Sequence, residues 1–279
     1  MDVFTVLDNQ VFIPFLLLEQ AMFGVVFLFA CVRGTSLHVI GDWGRNGQFS
    51  QIEVAKKMQS IPHDAVISVG DNFYPDGLAN SNDPAVKTSW SDIYNTSIPW
   101  YVALGNHDYH GNATAQMYIQ HPSWNMPSQN HIFNIGDHSF VLLDSQKFNY
   151  TKVDQLLSKA PRKYKWMVAH HPIYSAGWHN KVETTYRDNM IDLYKKYGCL
   201  ALLSGHDHNL QYIEVDGLRQ IISGAGSSTY RWQVQQDGLE FFNSIPGFVH
   251  LILSDKTVSI QFLSAQKIEF EVVINILTV

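Results

Sequence analysis

Five short apolar runs in this chain end in residues able to hold a metal ion. Asp42 follows Leu37 to Gly41, and Asp71 follows Ala65 to Gly70. Asn106 follows Trp100 to Gly105, His170 follows Lys165 to Ala169, and His206 follows Leu200 to Gly205. In open sheets flanked by helices, sites form at the carboxyl ends of strands. Five such ends falling together gather carboxylate, amide and imidazole groups in one place. That mixture suits Fe, Mn or Zn better than Mg or Ca. It also exceeds what one ion needs. Asp71 has two carboxylate oxygens and is the natural bridge between two cations. Tyr74 lies three residues further on, within reach of the same point. A phenol beside a hard trivalent ion can lose its proton and become a ligand. Two ions held roughly 3.5–4 Å apart are the usual device for phosphoester hydrolysis: one lowers the pKa of a bound water and both hold phosphate oxygens.

The elements that must position these residues alternate along the chain. The runs 37–40, 65–69, 100–104, 139–143, 165–169 and 200–204 read as buried strands. Gly70 lets the chain turn sharply after the second of them. Phe49 to Gln59 reads as a helix, and Ala79 to Asn95 as part loop and part helix. Thr151 can cap a short helix carrying Val153, Leu156, Leu157 and Ala160, with Asp154 completing the box and Pro161 stopping it. Tyr186, Met190, Leu193, Tyr194 and Tyr197 follow a 3.6-residue period, and Gly198 is placed to end that helix. Strand-like patterns then recur at 219–223, 248–254, 258–263 and 268–274. No linker, low-complexity tract or repeat interrupts residues 36–279, which read as one catalytic domain.

The chain has 279 residues, is 46% hydrophobic and carries a formal charge of -6, with 13 histidines and 2 cysteines. That content supports a substantial core and argues against disorder. The charge offers no basic footprint for nucleic acid. Residues 1–35 contain an apolar run from Ala21 to Val32, the length of a signal-peptide core and too short to span a bilayer. Asp2 and Asp8 precede it where a signal carries positive charge. Translation from Met22 resolves this and gives a short signal ending before Ser36. A retained membrane anchor and a segment with no targeting role are the alternatives. Three sequons, beginning at Asn95, Asn112 and Asn149, favour the secretory route. The expected location is secreted or lysosomal, without stable membrane insertion once a signal is removed.

The motifs Gly41-Asp42-Trp43-Gly44, Gly70-Asp71-Asn72-Phe73-Tyr74, Gly105-Asn106-His107-Asp108, Val168-Ala169-His170-His171-Pro172 and Gly205-His206-Asp207-His208 occur in that order. Together they resemble the metallophosphoesterases, and within them the purple acid phosphatases of the small, tartrate-resistant form. The resemblance implies an α/β fold, a four-layer α/β/β/α sandwich of two mixed sheets flanked by helices. It implies Asp42, Tyr74 and His208 on Fe3+, Asn106, His170 and His206 on a divalent Fe2+, Zn2+ or Mn2+, and Asp71 bridging. His107 would bind the substrate phosphate and help protonate the leaving group. His179 matches a second histidine at the substrate mouth. The implied reaction is hydrolysis of phosphate monoesters at acidic pH, a metal-bound hydroxide attacking phosphorus in line. The short stretch from Asp144 to Trp166 lacks a longer repressive loop of the mammalian-type enzymes, which implies activity without proteolysis.

Other readings compete. The same iron pair could cycle with peroxide and generate reactive oxygen species. A phosphoprotein or phosphodiester preference is a narrower variant. A non-catalytic binding protein on this scaffold requires a lost ligand, and all seven are in place. His171 is read as packing or hydrogen-bonding. Asp144 is given a turn or supporting role. His110, His121, His131 and His138 are read as surface or loop residues. Trp43 either stacks on substrate or packs.

Overall fold

The alternation of inward and outward residues along each strand builds three apolar layers. In the computed structural model, which describes residues 34–277, β1 (Thr35–Ile40) sends Leu37 and Val39 to one face and Ile40 to the other. β2 (Ala65–Ser68), β3 (Trp100–Val102) and β4 (Trp124–Asn125) lie parallel beside it. β12 (Gly247–Leu253), β13 (Thr257–Ser264) and β14 (Ile268–Asn275) extend the sheet antiparallel on the other side. The second seven-stranded sheet holds β5 (His131–Ile135), β6 (His138–Leu143), β7 (Tyr164–Ala169) and β8 (Ala201–Ser204). It is completed by β9 (Leu210–Val215), β10 (Leu218–Ser223) and β11 (Leu239–Asn243).

Phe140, Leu142, Trp166 and Val168 face Leu37, Val39 and Ile67 across the gap between the sheets. On the outer face of the first sheet, Val54, Ala55 and Met58 of α1 (Gln51–Ser60) pack on Ile40 and Val66. On the outer face of the second, α2 (Tyr150–Ser158) and α3 (Thr184–Tyr197) cover Val141, Leu143, Met167 and Ala169. The result is two mixed sheets between helices, the architecture that the resemblance implied. The first 33 residues, with the expected signal or anchor, lie outside the described residues. Among the described residues no helix is long and apolar enough to cross a membrane.

Register places the loops that matter. The parallel pairing of Ile40 with Ser68 brings the turns carrying Asp42 and Asp71 out side by side. The pairing of Val168 with Leu203 does the same for His170 and His206. The sheets are joined there: Gly41 N donates to Ser223 O at 2.8 Å, and Ser223 Oγ donates to Val39 O at 2.7 Å.

Several local expectations need correction. α1 begins at Gln51, because Phe49 sits at φ 53° with its ring exposed. α2 is capped by Asn149, whose Oδ1 accepts from Lys152 N at 3.0 Å, so Thr151 lies inside the helix. β4, β5, β9 and β11 were not anticipated. His131 and His138 are not surface or loop residues; they lie in β5 and β6 and are buried, because strand alternation turns them inward with Phe133 and Phe140. His138 Nδ1 accepts from Trp166 Nε1 at 3.0 Å, and burial lowers its pKa to about 4. Asp144 does take a turn role, accepting from Gln146 N and Lys147 N.

His131 carries a consequence for acid stability. Its Nδ1 lies 2.9 Å from Ser128 O, and its Nε2 has no hydrogen-bond partner among the described residues. Burial lowers its pKa to about 4. The unfolded chain therefore binds a proton that the folded chain refuses between roughly pH 6.5 and pH 4, and stability falls as pH falls through that window. His131→Leu is expected to remove on the order of 1–2 kcal/mol of the stability difference between pH 7 and pH 4.5. Denaturant unfolding at the two pH values measures it, and an unchanged difference would count against the assignment.

Candidate metal centre

Tight turns at the strand ends aim the donors inward. Asp42, Asp71 and His206 all adopt left-handed backbone angles, with φ 61°, 53° and 67°. Non-glycine residues hold such angles at a cost of order 1–3 kcal/mol each, and strain of this kind clusters at functional sites. Gly70, at φ 99°, lets the chain reverse just before Asp71.

The donors converge in two groups that meet at Asp71. On one side Tyr74 Oη lies 2.8 Å from Asp71 Oδ2, 3.1 Å from Asp42 Oδ1 and 3.1 Å from His208 Nε2. On the other, His170 Nε2 lies 3.1 Å from Asn106 Oδ1 and 3.5 Å from Asp71 Oδ1. The His206 ring lies 5.0 Å from that of His170, and its backbone N–H donates to Asp42 Oδ2 at 3.0 Å. The His179 ring sits 3.9 Å from His206. His107 donates its backbone N–H to Asp71 Oδ1 at 2.8 Å and places its ring 4.3 Å from Tyr74. All nine residues singled out from the sequence are thus gathered at one end of the two sheets.

The electrostatics are those of a site short of positive charge. Asp42 and Asp71 are both buried. Burial pushes Asp71 up, but His170 beside it wins and holds the carboxyl well below the usual range. Burial likewise opposes charge on His170, yet Asp71 outweighs it and raises the imidazole to about 9. Burial and the neighbouring rings of His170, His171 and His179 hold His206 far down, in the neutral form that a metal ligand requires. Burial, Asp42 and Asp71 push the Tyr74 phenol well above 10. A cation seated beside the phenol would oppose that shift and favour loss of the proton. Arg45 supplies part of the balance, its guanidinium carbon 3.5 Å from the Tyr74 ring centroid.

The residues fit a metal pair. Asp42, Asp71 and His170 offer ligand atoms within 4.8 Å of one another. Tyr74, His208 and Asn106 add phenol, imidazole and amide donors at the distances above.

Several supporting residues escaped the sequence reading. Asp108 accepts from Gly105 N at 2.8 Å and from Asn72 N at 3.0 Å, so it staples the Asp71 turn to the Asn106 turn. Burial and then Asp71 raise its pKa to about 7, against those backbone donors. Asn72 donates to Ala103 O at 2.8 Å and to Gln116 Oε1 at 3.0 Å. Asp207 Oδ1 accepts from His179 N at 2.9 Å and fixes that loop. Asp108 and Asp207 stand inside the quoted motifs, which was the available signal. Tyr230 stacks on His208 at 4.4 Å from a loop that carries no motif. Trp43 packs: it is fully buried and donates to Ser68 Oγ at 2.8 Å. His171 hydrogen-bonds with Ser145 Oγ at 2.8 Å.

The family model for calcineurin-like phosphoesterases matches residues 35–210. The chain is a calcineurin-like phosphoesterase. Purple acid phosphatase 7 of Arabidopsis thaliana is 34% identical over 245 residues, 72% of this chain and 72% of that protein. Tartrate-resistant acid phosphatase type 5 of Mus musculus is 29% identical, over 81% of this chain and 85% of its own. The calcineurin-like phosphoesterase therefore belongs to the purple acid phosphatases, hydrolases of phosphate esters. Membership implies a two-metal centre, and the converging donors are the candidate for it. Among solved structures, GAP50, the anchor in the inner membrane complex of Plasmodium, superimposes with a TM-score of 0.77 at 25% identity, covering 87% of this chain and 89% of that one.

Proposed function

We propose that this phosphoesterase hydrolyses phosphate monoesters at acidic pH with an Fe(III) and divalent metal pair. The observation that carries the proposal is the position of Asp71, whose two oxygens face different donor groups. Oδ2 lies 2.8 Å from Tyr74 Oη and Oδ1 lies 3.5 Å from His170 Nε2. Asp42, Tyr74 and His208 would hold the ferric ion; Asn106, His170 and His206 would hold the divalent Fe, Zn or Mn; Asp71 would serve both. When bound, such a pair lowers the pKa of water and holds phosphate oxygens.

The chain's own residues do the rest. His107 Nδ1 lies 2.6 Å from Pro75 O. A carbonyl only accepts, so Nδ1 carries a proton; in the imidazolium form Nε2 carries the second, which it would give to the leaving oxygen or to the phosphate. His179, held by Asp207, lines the mouth beside His206. The strained turns keep the donors oriented before substrate arrives. A secretory route belongs to the same proposal, supported by the exposure of Asn95, Asn112 and Asn149 in their sequons.

The test joins spectrum to turnover. Purified protein containing iron is expected to show a broad visible band from tyrosinate-to-iron charge transfer and to hydrolyse p-nitrophenyl phosphate fastest in acid. Tyr74→Phe is expected to lose the band. Iron-loaded protein that is colourless and inactive would overturn the proposal.

A further inference from the structure

A groove of about 1190 Å³ opens from the candidate centre. His206, His179 and His171 form its inner end. Its volume exceeds the usual range for a small-molecule pocket, about 300–1,000 Å³, and far exceeds a phosphate group. The outer rim carries Trp178 and Trp232, which are 59% and 48% exposed. Their rings meet edge to face at 5.3 Å and 74°. Two half-exposed indoles are a poor use of apolar surface unless something covers them.

The loops that bear them are held firmly. Val234 N donates to Ala176 O at 2.8 Å, tying the two loops together. Ala176 N donates to Gln211 Oε1 at 2.8 Å, and Gly177 N donates to Ser175 Oγ at 2.9 Å. A Cβ on Gly177 would stand 2.6 Å from the side chains of Asp207 and Asn209, so only glycine lets this loop lie against the His206 turn. Trp178 is thereby fixed one residue from His179. The facing wall is aromatic as well. Tyr186 Oη donates to His171 O at 2.8 Å, and Phe148 packs edge-on to Tyr186 at 5.2 Å. Besides its histidines, the groove's charged residues are Lys181 and Glu183, and the Glu183 carboxylate is committed to capping α3 through Thr185 N and Tyr186 N. A phosphate bound at the inner end therefore points its ester group at flat rings and few charges.

We infer that this groove is a subsite for the leaving group, and that the enzyme prefers phosphate monoesters whose alcohol portion carries an aromatic ring, received on the Trp178–Trp232 pair. The inference rests on the phosphatase reading above. Rings prefer offset or edge-on partners, which two indoles set at a steep angle provide. Flat rings stacked on aromatic side chains in single-strand nucleic acid recognition are the nearest analogue.

The experiment compares 2-phenylethyl, 2-cyclohexylethyl and ethyl phosphate, three primary alkyl esters with similar leaving groups. Wild-type kcat/KM is expected to favour the phenyl ester over the ethyl ester by about tenfold or more, mainly through KM. The cyclohexyl ester should fall between them. In Trp178→Ala/Trp232→Ala the phenyl-to-ethyl ratio should collapse toward one, and in Trp178→Phe/Trp232→Phe it should persist. A ratio unchanged in the alanine pair overturns the inference, as does a cyclohexyl ester handled as well as the phenyl one. Equilibrium binding of 2-phenylethylphosphonate and ethylphosphonate, which cannot be hydrolysed, scores the groove separately. Should no ester be turned over, the hydrolytic reading fails while tighter binding of the phenyl phosphonate still supports the subsite; equal binding of the two removes it.

Discussion

Asp71→Asn is expected to lower kcat/KM by roughly a thousandfold, because a metal pair contributes several kcal/mol of transition-state stabilisation and each 1.36 kcal/mol is tenfold. An amide keeps the shape but removes the negative charge shared between the two donor groups. It also strips His170 of its nearest anion, the group that raises that imidazole to about 9. Deprived of it, the buried ring is expected to titrate lower, since burial then acts with less opposition. Two measurements separate the causes. Elemental analysis should find at least one metal lost, and circular dichroism should find the fold intact. A variant that keeps both metals and full turnover would remove Asp71 from its bridging role.

His107→Asn is expected to cost roughly 10²- to 10⁴-fold, the range for losing a positioned general acid. The size of the loss should depend on the leaving group. A p-nitrophenolate departs readily without a proton, whereas an alkoxide does not. The variant should therefore lose far more with an alkyl phosphate than with p-nitrophenyl phosphate. Equal losses with both would point instead to phosphate binding alone. The hydrogen bond from the His107 backbone to Asp71 survives the substitution, so bound metal is expected to be retained.

The chemistry was easier to read from the sequence than the elements that surround it. Each donor stands where an apolar run meets a glycine or polar turn, so Asp42, Asp71, Asn106, His170 and His206 are visible one strand at a time. Their convergence depends on parallel register and on two sheets meeting, which no local pattern states. The hairpin of β9 and β10 did carry a signal in Asp216-Gly217, both at positive φ, a favoured two-residue turn. It went unread because Leu210 to Val215 directly follow the Gly205-His206-Asp207-His208 motif and were assigned no strand. His131 and His138 were misplaced for a different reason. Histidine is polar enough to suggest surface, and only the β5–β6 pairing of His131 with Leu142 and of Ile135 with His138 turns them inward. Asp108 and Asp207 show the limit of motif reading: both were quoted, but their work is to hold backbone N–H groups from loops distant in sequence.

The donors come from both sheets. Asp42, Asp71, Tyr74 and Asn106 follow strands of the first, while His170, His206 and His208 follow strands of the second. A cation seated among them is consequently a rivet through the two halves of the sandwich. Whatever binds the native arrangement and not the unfolded chain adds to stability by mass action. Metal loading should then report on maturation: a chain whose halves have not yet closed has no place to keep the cation, and a loaded one resists prying its sheets apart.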